Sequence, residues 1–241
     1  NKLSSLILLL LLTFLSNPLT LNSQTPKFYY DFESVSGSII PDVSPNNLNA
    51  TLTTATTGTN FTFISDPSGV RPGIVVNCPS GNTTENDVSY IQTEDFTNPY
   101  DLNTTDATLA MWVRPEASGP QNFLILATTI GGRSVLQLRT VDGIMRLESS
   151  ATFSGSVRAN ETQIPLNSWT HVALVTTHDP ASINLYVNGI KQNTIFSLNE
   201  SVSQFTTPFT AIRIGAHNNL IGGKLQSFIG QIDNVTMYSE A

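Results

Sequence analysis

Charged side chains are scarce in this chain of 241 residues. They make up 12 % of it, whereas about a quarter is usual for a soluble domain. The 18 acidic residues outnumber the 11 basic ones, which gives a net charge of -7. Nucleic-acid binding needs clustered Lys and Arg, and no such cluster appears along the sequence. We therefore expect no nucleic-acid partner.

Cysteine is almost absent, since Cys78 is the only one in the chain. A single thiol excludes a disulfide within the chain. Cys78 lies just after the apolar residues Ile74-Val75-Val76, which indicates a small buried side chain. The alternative is a bridge to a second chain.

Long apolar runs are confined to the N-terminus. Lys2 precedes an apolar run over Leu3–Leu15 that only Ser and Thr residues interrupt. This length is typical of a secretory signal peptide and is short of the roughly 20 residues of a membrane-spanning helix. We predict a signal peptide at 1–23, one domain over 24–241, and a secreted or cell-surface location. A signal anchor that stays in the membrane is the alternative.

N-x-S/T sequons are frequent, but a chain rich in Asn, Ser and Thr produces several by chance. The expectation of glycosylation therefore depends on the predicted leader. One further sequon, at Asn234, lies in a predicted strand and is the weakest candidate. The predicted glycosylation sites are Asn49, Asn60, Asn82, Asn103, Asn160 and Asn199.

Short strand-like segments separated by turn signals predict an all-β sandwich. In residues 108–114 the odd-numbered side chains are apolar and are expected to face the core. Asp142-Gly143 and Asn188-Gly189 each lie between two such segments. Both dipeptides tolerate the positive φ angles of a type I′ turn, so we predict a β-hairpin at each.

The last strand-like segment changes phase. A one-residue bulge near Asp233-Asn234 would keep all of its apolar side chains on one core face. These side chains move from even to odd positions: Phe228, Gly230, Ile232, Val235 and Met237.

Four segments of the second half carry a family resemblance: Trp169–Val175, Ile183–Gly189, Ile212–Gly215 and Phe228–Tyr238. Their order and spacing resemble the laminin-G-like, concanavalin A-like jelly-roll family, over most of the chain after the leader. The resemblance implies a jelly-roll β-sandwich and, for most members, a non-catalytic extracellular binding module. Members usually continue beyond the final Tyr-x-x-Ala, and no initiating Met is present, so we expect a longer natural product.

Glucanases of the same architecture carry Glu-x-Asp-x-(x)-Glu along one strand. Retaining hydrolysis needs two carboxylates about 5 to 5.5 Å apart. The Glu-x-Asp match here, Glu85-Asn86-Asp87, is followed by Ser89 and Tyr90 and not by a second Glu. We therefore predict no enzymatic activity, and a diverged glycoside hydrolase is the least favoured reading.

The resemblance also implies a structural calcium ion, because Asp31, Asp42 and Asp233 match acidic positions of the family. Carboxylate and carbonyl oxygens are the ligands that Ca²⁺ prefers. The chain departs from the family at Ser44-Pro45-Asn46, where Ser-Gly-Asn is expected. The alternative is that Asp42 caps a turn and Asp31 is exposed.

Aromatic rings suit sugar binding because their faces pack against the apolar faces of a sugar. Trp112, Tyr186 and Tyr100 are candidates for such a platform, although the sequence assigns no ligand site. We expect Trp169 in the core and His171 as a structural strand residue.

The sequence thus predicts a secreted or cell-surface, non-catalytic recognition module that binds glycans or extracellular, glycosylated proteins. The alternative is a structural subunit of an extracellular or membrane-attached assembly, held to its partner chains through sheet edges or termini.

Overall fold

The computed structural model describes residues 24–56, 59–79, 89–98, 100–101, 104–127, 134–149, 156–178, 181–196, 208–216 and 227–239. The predicted leader and the Glu85-Asn86-Asp87 motif lie outside the described residues. In the described part of the chain every regular element is a β-strand. No helix there is long and apolar enough to cross a membrane.

Seventeen strands are defined within these residues. They are β1 Phe28–Tyr30, β2 Ile39–Ile40, β3 Ala50–Thr53, β4 Thr62–Ser65, β5 Ile74–Cys78, β6 Tyr90–Thr93, β7 Ala107–Pro115, β8 Gln121–Ala127, β9 Ser134–Val141, β10 Ile144–Ser149, β11 Ser156–Gln163, β12 Thr170–His178, β13 Ala181–Val187, β14 Ile190–Lys191, β15 Thr194–Phe196, β16 Ala211–Ile214 and β17 Gly230–Tyr238.

The described strands form two antiparallel sheets. Sheet 1 has the order β14-β13-β12-β7-β17-β5-β4, with β1 also paired to β17. Sheet 2 has the order β15-β11-β10-β9-β8-β16-β6-β3-β2. The predicted all-β sandwich is therefore confirmed.

The core lies between the two sheets, and strand alternation supplies its side chains. In β7, Leu109, Met111 and Val113 are fully buried, as the alternation of residues 108–114 predicts. Sheet 2 contributes residues such as Leu124 and Leu147, which are also fully buried. Each such side chain stabilises the fold by roughly 1.5 to 3 kcal/mol relative to exposure.

Both predicted hairpins are present. Asp142 and Gly143 have φ angles of 54° and 77°, and Asn188 and Gly189 have φ angles of 50° and 76°. Positive φ at both central residues is the condition for a type I′ turn. These turns fix the registers of β9 with β10 and of β13 with the short β14.

The predicted bulge is also present in β17. Its register with β7 shifts between Asp233 and Thr236, and Asn234 has a φ of 51°. As a result Ile232, Val235 and Met237 are all fully buried. The extra residue turns the Asp233 and Asn234 side chains away from the core.

Gly230 allows β17 and β7 to approach each other closely. Its φ is 137°, and a Cβ built on it would lie 2.1 Å from the Arg114 carbonyl oxygen. Gly119 also has a positive φ, of 98°, but no described atom lies within 4 Å of such a Cβ. A substitution at Gly230 therefore adds a steric clash to backbone strain, whereas a substitution at Gly119 adds backbone strain alone.

We predict that Gly230→Ala lowers the free energy of unfolding by about 3 kcal/mol or more, because overpacking adds to backbone strain. Gly119→Ala should cost about 1 kcal/mol, from strain alone. Urea unfolding followed by tryptophan fluorescence measures both values. Equal losses in the two variants would contradict close contact between β7 and β17 at this point.

Candidate functional site

A groove of about 330 Å³ lies on the outer face of sheet 1. Strands β1, β7, β12 and β17 each present side chains to it, because residues that alternate with the core positions point outward. We call it the aromatic groove. Its lining residues are Tyr29, Trp112, His171, Asn234, Thr236 and Tyr238.

Trp112 is held in place on three sides. Its register partners are His171 on β12 and Asp233 on β17. The His171 ring meets the Trp112 ring edge-on, with centroids 5.3 Å apart. The Arg71 guanidinium carbon lies 4.6 Å from the Trp112 ring centroid, which is a cation–π distance. Trp112 is half-buried and therefore offers part of a fixed aromatic surface to solvent.

The β17 bulge supplies the polar groups beside this ring. The Tyr29 hydroxyl donates a hydrogen bond to Asn234 Oδ1 over 2.6 Å. The Asn234 amide nitrogen donates to Asp233 Oδ2 over 3.3 Å. The bulge thus links a tyrosine of β1 to the carboxylate of the residue that is paired with Trp112 across the strands.

The charges of the groove compensate each other. Arg71 Nε lies 2.8 Å from Asp233 Oδ2, and the two side chains are 18 % and 4 % exposed. Burial raises the pKa of Asp233, while the hydrogen bond and charge of Arg71 oppose that rise. Burial and Arg71 both lower the pKa of His171. The imidazole is therefore neutral near pH 7, and the groove carries no strong net charge.

The loop over residues 66–71 positions Arg71. Asp66 Oδ2 accepts hydrogen bonds from the backbone N–H groups of Val70 and Arg71 and from Trp169 Nε1, at 2.7 to 2.9 Å. The Ser68 N–H donates to Asp66 Oδ1. Trp169, expected in the core, is instead half-buried, because its indole N–H reaches Asp66 at the edge of the sandwich.

The predicted calcium residues do not form one group. Asp42 accepts four hydrogen bonds, from the N–H groups of Tyr29, Ser44 and Leu48 and from the Ser44 hydroxyl. Asp42 therefore caps the turn that follows it, which was the predicted alternative to calcium binding. Asp31 accepts one hydrogen bond, from the Glu33 N–H.

Asp233, the third predicted ligand, is paired with Arg71. Among the described residues no group of three or more His, Cys, Asp or Glu side chains is placed to hold a metal ion. Protein donors already occupy the carboxylates of Asp42 and Asp233, so an ion shared with Asp31 would have to displace some of these contacts. Calcium binding stays a prediction, and the function proposed below does not depend on it.

The aromatic candidates divide between groove and core. Trp112 lines the groove, and Tyr186 is half-buried on β13, opposite Ala173. The expectation for Tyr100 is wrong: it is 8 % exposed and packs in the core against Phe209, with ring centroids 5.4 Å apart. Its hydroxyl donates to the Asp106 carbonyl, which satisfies the buried polar atom.

Cys78 is fully buried in β5, as the apolar run before it indicates. Burial raises the pKa of its thiol. A bridge to a second chain would therefore require β5 to leave the core.

Three of the predicted glycosylation sites lie in the described part of the chain. Asn49 Oδ1 accepts from the Asp42 N–H, and Asn60 Oδ1 accepts from the Ala55 N–H and the Ser89 hydroxyl. Asn160 lies in β11. Asn82, Asn103 and Asn199 are outside the described residues. Glycosylation stays a prediction at all six positions.

A family model described as the concanavalin A-like lectin/glucanases superfamily matches residues 82–241. This match covers about two thirds of the chain and includes β7, β12 and β17, which build most of the groove. No curated protein matches the chain.

Solved structures of similar fold include the binding domain of botulinum neurotoxin DC in complex with rat synaptotagmin II, at TM-score 0.58 and 9 % identity, over 90 % of this chain and 48 % of that one. The same binding domain in complex with SialylT matches at TM-score 0.57 and 10 % identity, over 91 % and 48 %. This chain thus spans about half the length of the neurotoxin domains it matches.

A Trypanosoma rangeli sialidase in complex with 2,3-difluorosialic acid also matches, at TM-score 0.52 and 16 % identity, over 90 % of this chain and 31 % of the sialidase. At these identities the solved structures support the fold alone.

The Asp66 loop predicts a pH-dependent stability. Burial would raise the pKa of Asp66, but hydrogen bonds from Arg71, Ser68 and Trp169 lower it to about 2. A carboxylate with a lowered folded-state pKa stabilises the fold above its unfolded-state pKa near 4, and this contribution is lost as the pH falls toward 2.

We therefore expect Asp66→Asn to lower the free energy of unfolding on the order of 2 kcal/mol at pH 7. The difference from wild type should shrink between pH 4 and pH 2. Thermal unfolding across this range measures it, with the exposed Asp95→Asn as the control expected to stay within about 0.5 kcal/mol. A difference that is independent of pH would contradict the assignment of these hydrogen bonds to the ionised carboxylate.

If Asp31, Asp42 and Asp233 bind a structural calcium ion, the thermal stability of the chain should depend on calcium. Added calcium should raise the Tm, because an ion that binds only the folded state stabilises it. Asp31→Asn, which removes one ligand and disturbs one hydrogen bond, should abolish this rise. A wild-type Tm that is the same in calcium and in chelator would contradict the predicted ion.

Proposed function

This chain belongs to the concanavalin A-like lectin/glucanases superfamily, and we propose that it is a non-catalytic recognition module that binds glycans or glycosylated proteins. The proposal places it outside the cell or at the cell surface. The observation that carries this proposal is the aromatic groove, in which the indole ring of Trp112 lies beside neutral hydroxyl and amide groups.

The groove has the two components that sugar recognition needs. The Trp112 ring provides an apolar face against which the C–H groups of a sugar ring can pack. Thr236, Tyr238 and Asn234 provide hydroxyl and amide groups within the same groove, and such groups can exchange hydrogen bonds with sugar hydroxyls. The pairing of Arg71 with Asp233 leaves no isolated charge to desolvate. These features favour an uncharged sugar ring in the groove.

The comparisons support a recognition role in general terms. The matched neurotoxin structures are named as binding domains, and two are complexes with synaptotagmin II and with SialylT. We extend a binding role of this kind to the present chain as a proposal, and its ligand is named by chemistry alone.

The groove is also a poor hydrolase site. Glycoside hydrolysis uses a pair of carboxylates on either side of the scissile bond. None of the six residues that line the groove carries a carboxylate, and Asp233, the register partner of Trp112, is paired with Arg71. We therefore propose binding without turnover.

The test is a glycan-array screen of residues 24–241, in calcium and again in chelator. For the glycans that bind, Trp112→Ala should weaken binding about 30-fold, since a central aromatic anchor contributes about 2 kcal/mol or more. Calorimetry on the wild-type chain and on Trp112→Ala gives the ratio of the two dissociation constants.

Tyr90→Ala is the matched control. Tyr90 lies on sheet 2 with the Arg213 guanidinium carbon 4.9 Å from its ring centroid, an aromatic–arginine pair like that of Trp112 and Arg71. This substitution should leave glycan affinity within about twofold of wild type. Equal losses in the two variants would contradict the groove as the binding site.

A blank array would overturn the proposal in favour of the structural subunit. The mass of the native protein would then decide between the two functions, because an assembly subunit predicts a particle far heavier than a single chain.

A further inference from the structure

A row of register partners on the outer face of sheet 1 leads away from the aromatic groove. Thr236, which lines the groove, is paired with Ala110 on β7. Ala110 is in turn paired with Ala173 on β12, and Ala173 is paired with Tyr186 on β13. Directly opposite residues of antiparallel strands share a face of the sheet. One row of side chains therefore runs across four strands, from the groove to Tyr186.

The two alanines of this row lie on the outer face and are nevertheless shielded from solvent. Their sequence neighbours Leu109 and Leu174 are buried in the core, so strand alternation points Ala110 and Ala173 outward. Each of the two alanines is only 7 % exposed. An outward-facing methyl group with so little exposure lies below the level of larger side chains around it. The alanines therefore form the floor of a depression in the outer face.

Larger side chains line both sides of this floor. Residues two apart on a strand share a face, so each alanine has an outward-facing neighbour on either side of it. Trp112 and His171, which also line the aromatic groove, form one side. Thr108 and Val175, which are register partners of each other, form the other side. We call the depression between these two pairs of residues the alanine trough.

The alanine trough is long, uncharged and aromatic at both ends. From β17 to β13 the row spans three strand spacings, or roughly 14 Å, which exceeds the width of one sugar ring. The sides and the floor carry no charge near pH 7, because burial lowers the pKa of His171 and keeps its imidazole neutral. Tyr186, half-buried at the far end, faces only the small methyl group of Ala173 across the strands. Its ring is therefore a second candidate surface for the apolar face of a sugar.

The position of the alanine trough in the sheet argues against a peptide strand as its ligand. Strands β7, β12 and β13 each have a neighbouring strand on both edges. Addition of a peptide as a further strand needs an unpaired sheet edge. Recognition in the trough therefore depends on side chains, which suits the C–H faces and hydroxyl groups of a sugar chain.

We propose that the alanine trough extends the aromatic groove, so that the ligand is a linear, uncharged oligosaccharide lying across the strands from Trp112 to Tyr186. One sugar ring packs on Trp112 and a later ring packs on Tyr186. The alanines leave room for the part of the chain between them. This inference rests on the function proposed for the groove, and it adds the shape, length and charge of the glycan.

The first test measures affinity against the length of the glycan. Neutral linear oligosaccharides of one, two and four rings, built from the neutral sugar that binds best on the array, are compared by calorimetry. The four-ring probe should bind about tenfold more tightly than the two-ring probe, because it gains the contact with Tyr186. Equal affinities for these two probes overturn the inference, and so does an array on which only charged glycans bind.

Tyr186→Ala tests the far end of the trough. It should weaken binding of the four-ring probe about tenfold and leave binding of the one-ring probe within about twofold of wild type. Unchanged binding of the four-ring probe, or an equal loss for both probes, would show that Tyr186 is not a separate contact for a longer chain.

Ala173→Leu tests the floor by filling the trough, and it should weaken binding of the four-ring probe about tenfold. Ala173→Ser is the matched control, because it keeps a small side chain at the same position and should change the affinity less than about twofold. Equal affinities of the two variants overturn the trough. If Ala173→Leu lowers the Tm, Tyr186→Ala decides the outcome.

The inference and the function on which it rests fail in different ways. Trp112→Ala should weaken binding of all three probes, since each of them occupies the aromatic groove. Binding that depends on Trp112 but not on the length of the probe retains the groove and overturns the trough alone. Binding that is independent of Trp112 overturns both.

Discussion

The hydrogen bonding of β17 on both of its edges is the constraint on which the rest of the structure depends. This strand pairs with β7 along one edge and with β5 and then β1 along the other. Among the described strands it thereby joins the first, β1, to the last and places β7 in the middle of sheet 1. Ile232, Val235 and Met237 fill the core below, and the groove is built on the same strands above.

The bulge in β17 connects this packing to the proposed function. Without the extra residue, either Ile232 or Val235 would leave the core, because a shift by one residue reverses the faces of a strand. The same residue turns Asp233 and Asn234 outward, where they meet Arg71 and Tyr29. The groove and the core therefore have a common origin in the backbone of β17, and a stable fold already contains a largely preformed site.

Periodicity and turn chemistry predict most of the fold, because both act over a few residues. The β7 alternation, both hairpins and the bulge at Asp233 were accessible in this way. The Arg71 contact with Trp112 and the burial of Tyr100 were not. Each depends on which segments of the chain become neighbours in space.

The central claim is that a glycan binds against Trp112. The chain contains two tryptophans, and the indole N–H of Trp169 is bonded to Asp66 away from the groove lining. A titration followed by ¹H–¹⁵N NMR can therefore observe both indole signals in one sample. With a glycan selected by the array, we predict a saturable shift of the Trp112 indole signal and a nearly constant Trp169 signal. Saturable binding with no change at Trp112 would contradict the account.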